Sequence, residues 1–185
     1  MTDSAWFWLL LALAVFWSVG AYRRLAALRA QVHKQFSALE EMLLRYQALV
    51  QDATTTAVTS PGSWQSAIAP ELGASHWTRL QVAANLMAMA IAHMQEHPLT
   101  PSSSVALVAT RRDLQAAWES LTHPDVYYVS VPQELTQRWT ELGFAVQSEV
   151  QRFNQAVLAY NAAIDQFPAS LLARWLKYFP GRPLE

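Results

Sequence analysis

The stretch whose residue types and spacing come closest to chemistry is His93-Met94-Gln95-Glu96-His97. It reads H-x-x-E-H, and on a helix imidazoles at i and i+4 share a face from which both could ligate zinc. A catalytic zinc needs a third protein ligand held by a larger fold, and Pro98 ends any helix directly after the second histidine. Two ordinary surface histidines are the simpler reading, so no metal or cofactor is assigned. The chain has no cysteine, which removes thiolate nucleophiles, disulfides and cysteine-based zinc sites. Ser/His/Asp arrangements, glycine-rich phosphate loops and paired carboxylates appear in no motif context. No catalytic residue is assigned, and a non-enzymatic protein is expected.

A second pattern is polar but not catalytic. Asn154 and Asn161 are seven residues apart, beside Phe153 and Tyr160, so both amides fall on one helical stripe next to an aromatic seam. An amide in a helix–helix interface fixes register or oligomeric state at some cost in stability. These four residues, with Phe167 and Pro168, are therefore candidates for a register or interface role, with simple exposure as the alternative.

The elements that carry these residues are helices. The chain has 185 residues, 52% of them hydrophobic and only 5 glycines, while Ala, Leu, Gln, Glu and Arg recur, which favours an all-α fold. A net charge of -1 and a pI near 6.5 give no electrostatic basis for nucleic-acid binding. The basic pair Arg111-Arg112 is followed by Asp113 and reads as a solvated helix face.

Residues 1–4 form a short tail, and residues 5–22 follow without a charge. At 1.5 Å per residue they reach about 27 Å, close to the thickness of a bilayer's hydrocarbon core. Trp6, Phe7 and Trp8 mark the start, and Phe16, Trp17 and Tyr22 the end, as expected of rings seeking both interfaces. A cleaved signal peptide would need a basic region before its apolar core, but here Arg23 and Arg24 follow it. A buried core helix apolar on all sides would need a larger protein around it. Residues 5–22 are thus expected to be a transmembrane helix. Arg23, Arg24, Arg29 and Lys34 place the following bundle in the cytoplasm and the N-terminus outside.

Beyond Arg24, apolar residues alternate three and four apart at Leu25, Leu28, Val32, Leu39, Met42, Tyr46 and Leu49, with Gln35 at the one polar slot. No Gly or Pro stands between Ala21 and Ser60, so the span is expected to run straight into this helix. Residues 54–73, with three threonines, Ser60-Pro61-Gly62 and Pro70, read as a loop. A second helix carries Trp77, Leu80, Ala84, Met87, Ile91 and Met94. A third begins near Pro101, with Ser102, Ser103 and Ser104 as capping candidates, and carries Leu107, Leu114, Trp118 and Leu121. The fourth carries Leu135, Trp139, Leu142, Val146, Val150, Phe153, Val157, Tyr160, Ile164 and Phe167 up to Pro168, and is expected to pack antiparallel against the first.

Phe153-Asn154, Val157, Tyr160-Asn161, Ile164 and Phe167-Pro168 resemble a repeated Tyr-Asn, Val, Tyr-Asn, Ile, Phe-Pro pattern. This is the pattern of the LemA family of bacterial inner-membrane proteins. His123-Pro124-Asp125-Val126 is similar to the family's Tyr-Pro-Asp-Leu turn, and Leu25, Leu28-Arg29, Val32, Phe36 and Leu39 track its first soluble helix. The stretch 45–51 lacks the family's Asp and Pro, and residues 51–119 are only loosely comparable. The resemblance implies a helical bundle (residues 23–167) behind one membrane helix, an N-terminus outside and no catalytic residue. It points to membrane organisation, since one branch serves magnetosome membranes and other members are encoded near membrane proteases or histidine kinases.

Residues 168–185 form an amphipathic tail that would place Leu171, Leu172, Trp175, Leu176 and Phe179 on one face, either at the membrane interface or against another helix. The expected function is a membrane-anchored scaffold that contacts the lipid bilayer and forms a homo-oligomer. An adaptor for a membrane protease or signalling receptor is the alternative.

Overall fold

The computed structural model describes residues 2–59, 70–123, 125, 126, 129–167 and 169–184, and these form five helices and no strand. Helix α1 (Thr2–Thr59) is one unbroken element of 58 residues, about 87 Å at the standard rise. Its two parts differ in what surrounds them. Between residues 6 and 22 large apolar side chains are exposed on every side, Phe16 at 79%. From Leu25 onward one stripe is buried: Leu25, Val32, Phe36, Leu39, Leu43, Tyr46 and Val50, continuing through Ala53 and Ala57. The apolar part and the bundle part are therefore one continuous helix, whose one glycine is Gly20 and which has neither Gly nor Pro from residue 21 to residue 59.

Helix α4 (Gln133–Asp165) is the main partner of α1. The ring pairs Trp17/Phe167 at 5.5 Å, Phe36/Phe153 at 6.1 Å and Tyr46/Trp139 at 4.6 Å run in opposite order along the two chains, which makes the pair antiparallel. Such edge contacts are worth about 0.5–1.5 kcal/mol each beyond area burial. Phe153 is fully buried, and its truncation to alanine would cost about 3–5 kcal/mol.

Helices α2 (Pro70–Glu96) and α3 (Pro101–Thr122) form a hairpin laid on α1. The α2 stripe Trp77, Leu80, Ala84, Met87, Ile91 and Met94 is buried throughout, as is the α3 stripe Leu107, Leu114, Trp118 and Leu121. Thr54 pairs with Gln81 at 2.9 Å and Gln95 with Glu40, so α2 descends along the upper part of α1. The four long helices thus alternate in direction. Helices α3 and α4 bring no Cα atoms within 8 Å of each other. They meet through stacked Trp118 and Trp139 at 4.2 Å, and through Arg111 donating to Gln147 at 3.1 Å. The space between them is a groove.

Several expectations change. Residues 54–59 are helical rather than loop, because Ala53 and Ala57 bury against the bundle, while the hydroxyls of Thr54, Thr55 and Thr56 bond back to the carbonyls of Val50, Gln51 and Asp52, a contact a helix tolerates. Pro70 opens α2, where its missing N–H costs nothing. The rest of the expected loop, residues 60–69, lies outside the described residues. Ser102, Ser103 and Ser104 do not cap α3: Thr100 holds the N-cap position without a side-chain bond, and Ser103 and Ser104 are buried in the first turn. Helix α4 stops at Asp165, so Phe167 leaves the core stripe and is 71% exposed.

Candidate site at the foot of the bundle

The residues singled out in the sequence gather at the lower end of the α1/α4 pair. Trp6, Phe7, Trp8, Phe16, Trp17 and Tyr22 are exposed along the first part of α1, with Arg23 and Arg24 exposed just above. Helix α5 (Ala169–Trp175) packs there against both α1 and α4, burying Ala173. The five tail residues do not share one face. The helix ends early, and Leu171, Trp175 and Phe179 are exposed while Leu172 and Leu176 are half-buried. Pro168 lies outside the described residues.

The end of α5 is a Schellman turn: Tyr178 N–H donates to the Ala173 carbonyl at 2.8 Å and Lys177 N–H to that of Arg174 at 3.3 Å. Lys177 takes the left-handed conformation this turn requires, with φ 54°. The Arg29 guanidinium then sits 5.1 Å over the Tyr178 ring, a cation–π contact tying the turn to α1.

Past this turn the chain is extended and lies along the face of α4 that looks toward α3. Tyr160 Oη donates to the Phe179 carbonyl at 3.3 Å and Ser104 Oγ to that of Arg182 at 3.0 Å. Asn161 binds both main-chain polar atoms of Gly181, and Asn154 both of Leu184, at 2.7–2.9 Å. The match is geometric. Seven residues of helix rise about 10.5 Å and three residues of extended chain about 10 Å, so the two amides meet backbone groups in register. Gly181 and Leu184 are buried, and a Cβ at 181 would stand 2.8 Å from Leu99 Cδ2 and 3.2 Å from Val157 Cγ1. The tail thus clasps the α2–α3 connection to α4.

Burial pushes the Tyr160 and Tyr46 hydroxyls above the ordinary phenol range, keeping both as neutral donors, Tyr46 to the Trp139 carbonyl at 3.2 Å. His33 is held below its ordinary value by burial and by the neighbouring Arg29 charge.

Away from this end, His93 and His97 are exposed with ring centroids 5.8 Å apart, and among the described residues no group of three metal-ligating side chains forms. A second feature is a groove of about 600 Å³ along α1 and α4, floored by Met42, Leu49, Leu142 and Ala145 and rimmed by Arg45, Asp52, Arg138 and Glu141.

Sequence reasoning missed the partners of the two asparagines. Gly181, Leu184 and Ser104 carry no local pattern; the one signal was a pair of amides seven apart with a chain end still unplaced. No protein-family model, no curated protein and no solved structure matches this chain.

Proposed function

We propose that the chain is a non-enzymatic scaffold anchored in a bacterial inner membrane through residues 5–22, with its N-terminus outside and its bundle in the cytoplasm. There it self-associates and organises membrane. One observation carries the anchoring: α1 is the one described helix long and apolar enough to cross a membrane, and its apolar side chains are exposed on all faces up to the level where a one-sided buried stripe begins at Leu25. Large apolar surface left in water costs about 25 cal/mol per Å², so a lipid environment is its natural complement. The LemA-like residues along α4 support the same reading.

Self-association draws on the α1/α4 groove, whose apolar floor and mixed charged rim suit a helix from a second copy. A helix of a membrane protease or receptor would fit the same chemistry, which makes an adaptor the second reading. The test is alkaline carbonate extraction of membranes, followed by sizing of the purified full chain in detergent and in nanodiscs. Retention in the membrane with a defined oligomer is expected. Release by carbonate removes the anchor, and a strict monomer in both media removes the self-associating scaffold.

A further inference from the structure

The underside of the bundle carries large apolar side chains that the described chain leaves mostly exposed. Phe167 is 71% exposed, Leu171 59%, Trp175 82% and Phe179 70%. Leu171 and Trp175 are one turn apart on α5 and share its outer face. Residues 167–179 also contain two basic side chains, Arg174 and Lys177, and no acidic one.

Depth identifies what covers them. The Phe167 ring meets the Trp17 ring at 5.5 Å, and Trp17 lies five residues inside Tyr22, about 7–8 Å below the end of the apolar run. A bilayer that surrounds residues 5–22 therefore reaches Phe167 at the same depth. The foot is also rigidly placed: α5 packs on α1 and α4, its end is closed by the Schellman turn, and the segment beyond is held by Tyr160, Asn161 and Asn154. We propose that Phe167 and α5 form a second membrane contact, in which Phe167, Leu171 and Trp175 enter the interface of the bilayer that α1 crosses. Arg174 and Lys177 meet its anionic headgroups. Amphipathic segments with aromatic apolar faces and basic polar ones bind at this level. Two points of contact, one spanning and one interfacial, fix both the tilt and the rotation of the bundle. The proposal rests on the reading of α1 as a membrane span, and its test separates the two.

Because the chain has no cysteine, single-cysteine variants can be labelled cleanly. Leu13→Cys reports on the span, and Trp175→Cys and Leu171→Cys, both at exposed positions, report on the foot. Each full-length variant carries an environment-sensitive fluorophore and is reconstituted in vesicles of phosphatidylethanolamine and phosphatidylglycerol. All three labels are expected to be blue-shifted, quenched several-fold by acyl-brominated lipid and protected from aqueous iodide. Lipid quenching at 13 with iodide quenching at 171 and 175 overturns the foot and leaves the span. Protection at 171 and 175 from both quenchers means a protein surface covers them, which also overturns the proposal. Iodide access at 13 overturns the span, and the foot with it.

Discussion

Asn161 holds Gly181 by both of its main-chain polar atoms: the amide nitrogen donates to the Gly181 carbonyl at 2.8 Å and the amide oxygen accepts the Gly181 N–H at 2.9 Å. Asn154 repeats the arrangement two turns earlier on Leu184. A side-chain amide used this way imitates a neighbouring strand, so an extended chain is held against a helix by its backbone. The device closes a groove where α3 and α4 do not touch backbone to backbone, and it sets where the underside of the bundle ends.

Replacing both amides should loosen the clasp without unfolding the bundle. In Asn154→Leu with Asn161→Leu, four main-chain groups lose their partners, each at a cost of about 1–3 kcal/mol if it stays buried. Hydrogen exchange at Gly181 and Leu184 is expected to accelerate by about ten-fold or more, with exchange in the α1/α4 core unchanged. Unaltered protection at those two amides, with a changed assembly state, would instead make the asparagines an oligomer lock.

Gly181→Ala tests the closeness of the tail. The new methyl meets Leu99 Cδ2 at 2.8 Å and Val157 Cγ1 at 3.2 Å, an overpacking that costs about 1–3 kcal/mol. Gly143→Ala meets only the Tyr46 hydroxyl, at 3.1 Å, and regains helix propensity. Thermal denaturation in detergent is expected to show a clear fall for the first variant and little change for the second. Equal effects would count against a tightly seated tail.

Lys177 occupies a left-handed position, φ 54°, at which a side chain costs about 1–2 kcal/mol relative to glycine. Lys177→Gly is therefore expected to raise the melting temperature by about 2–8 °C. It should also weaken association of the tail with anionic vesicles, because the proposed headgroup contact loses a charge. A lower melting temperature would mean that Lys177 makes stabilising contacts exceeding the backbone cost.

Alkaline pH should release the same structure. Burial raises the Tyr46 and Tyr160 hydroxyls above 10.0, so the folded chain keeps these protons where the unfolded chain gives them up. Stability is then full below the unfolded value and is lost as pH rises through the folded ones. Guanidinium titrations between pH 9 and 12 are expected to show a falling midpoint, flatter in Tyr46→Phe combined with Tyr160→Phe. An identical slope in that variant would assign the loss to other groups.

What could be read in the sequence follows from periodicity. The stripe of α4 from Leu135 to Ile164 needed only three- and four-residue spacing, and the unbroken run of α1 beyond Ala21 only the absence of Gly and Pro; on α1 the spacing found Leu25, Val32, Leu39 and Tyr46, but Leu28, Met42 and Leu49 are half-buried and the seam runs through Phe36, Leu43 and Val50. Composition misled where residues act through their backbone neighbours: Thr54, Thr55 and Thr56 look like loop, yet their hydroxyls turn back onto the helix. The clasp was out of reach for another reason. Asn161 and Gly181 are joined by a long-range meeting that no local pattern encodes, and an amide beside an aromatic seam reads equally well as an interface with another chain.

The most direct test of the proposed rigid mount, a bundle continuous with a membrane-crossing helix, is one distance. Spin labels at Val15→Cys in the apolar segment and Ala48→Cys in the bundle, both exposed on α1, are 33 residues apart, about 50 Å along a continuous helix. Double electron–electron resonance of the full chain in proteoliposomes is expected to give one narrow distribution near that length. A broad or markedly shorter distribution would mean that α1 bends between span and bundle, and would contradict the rigid mount.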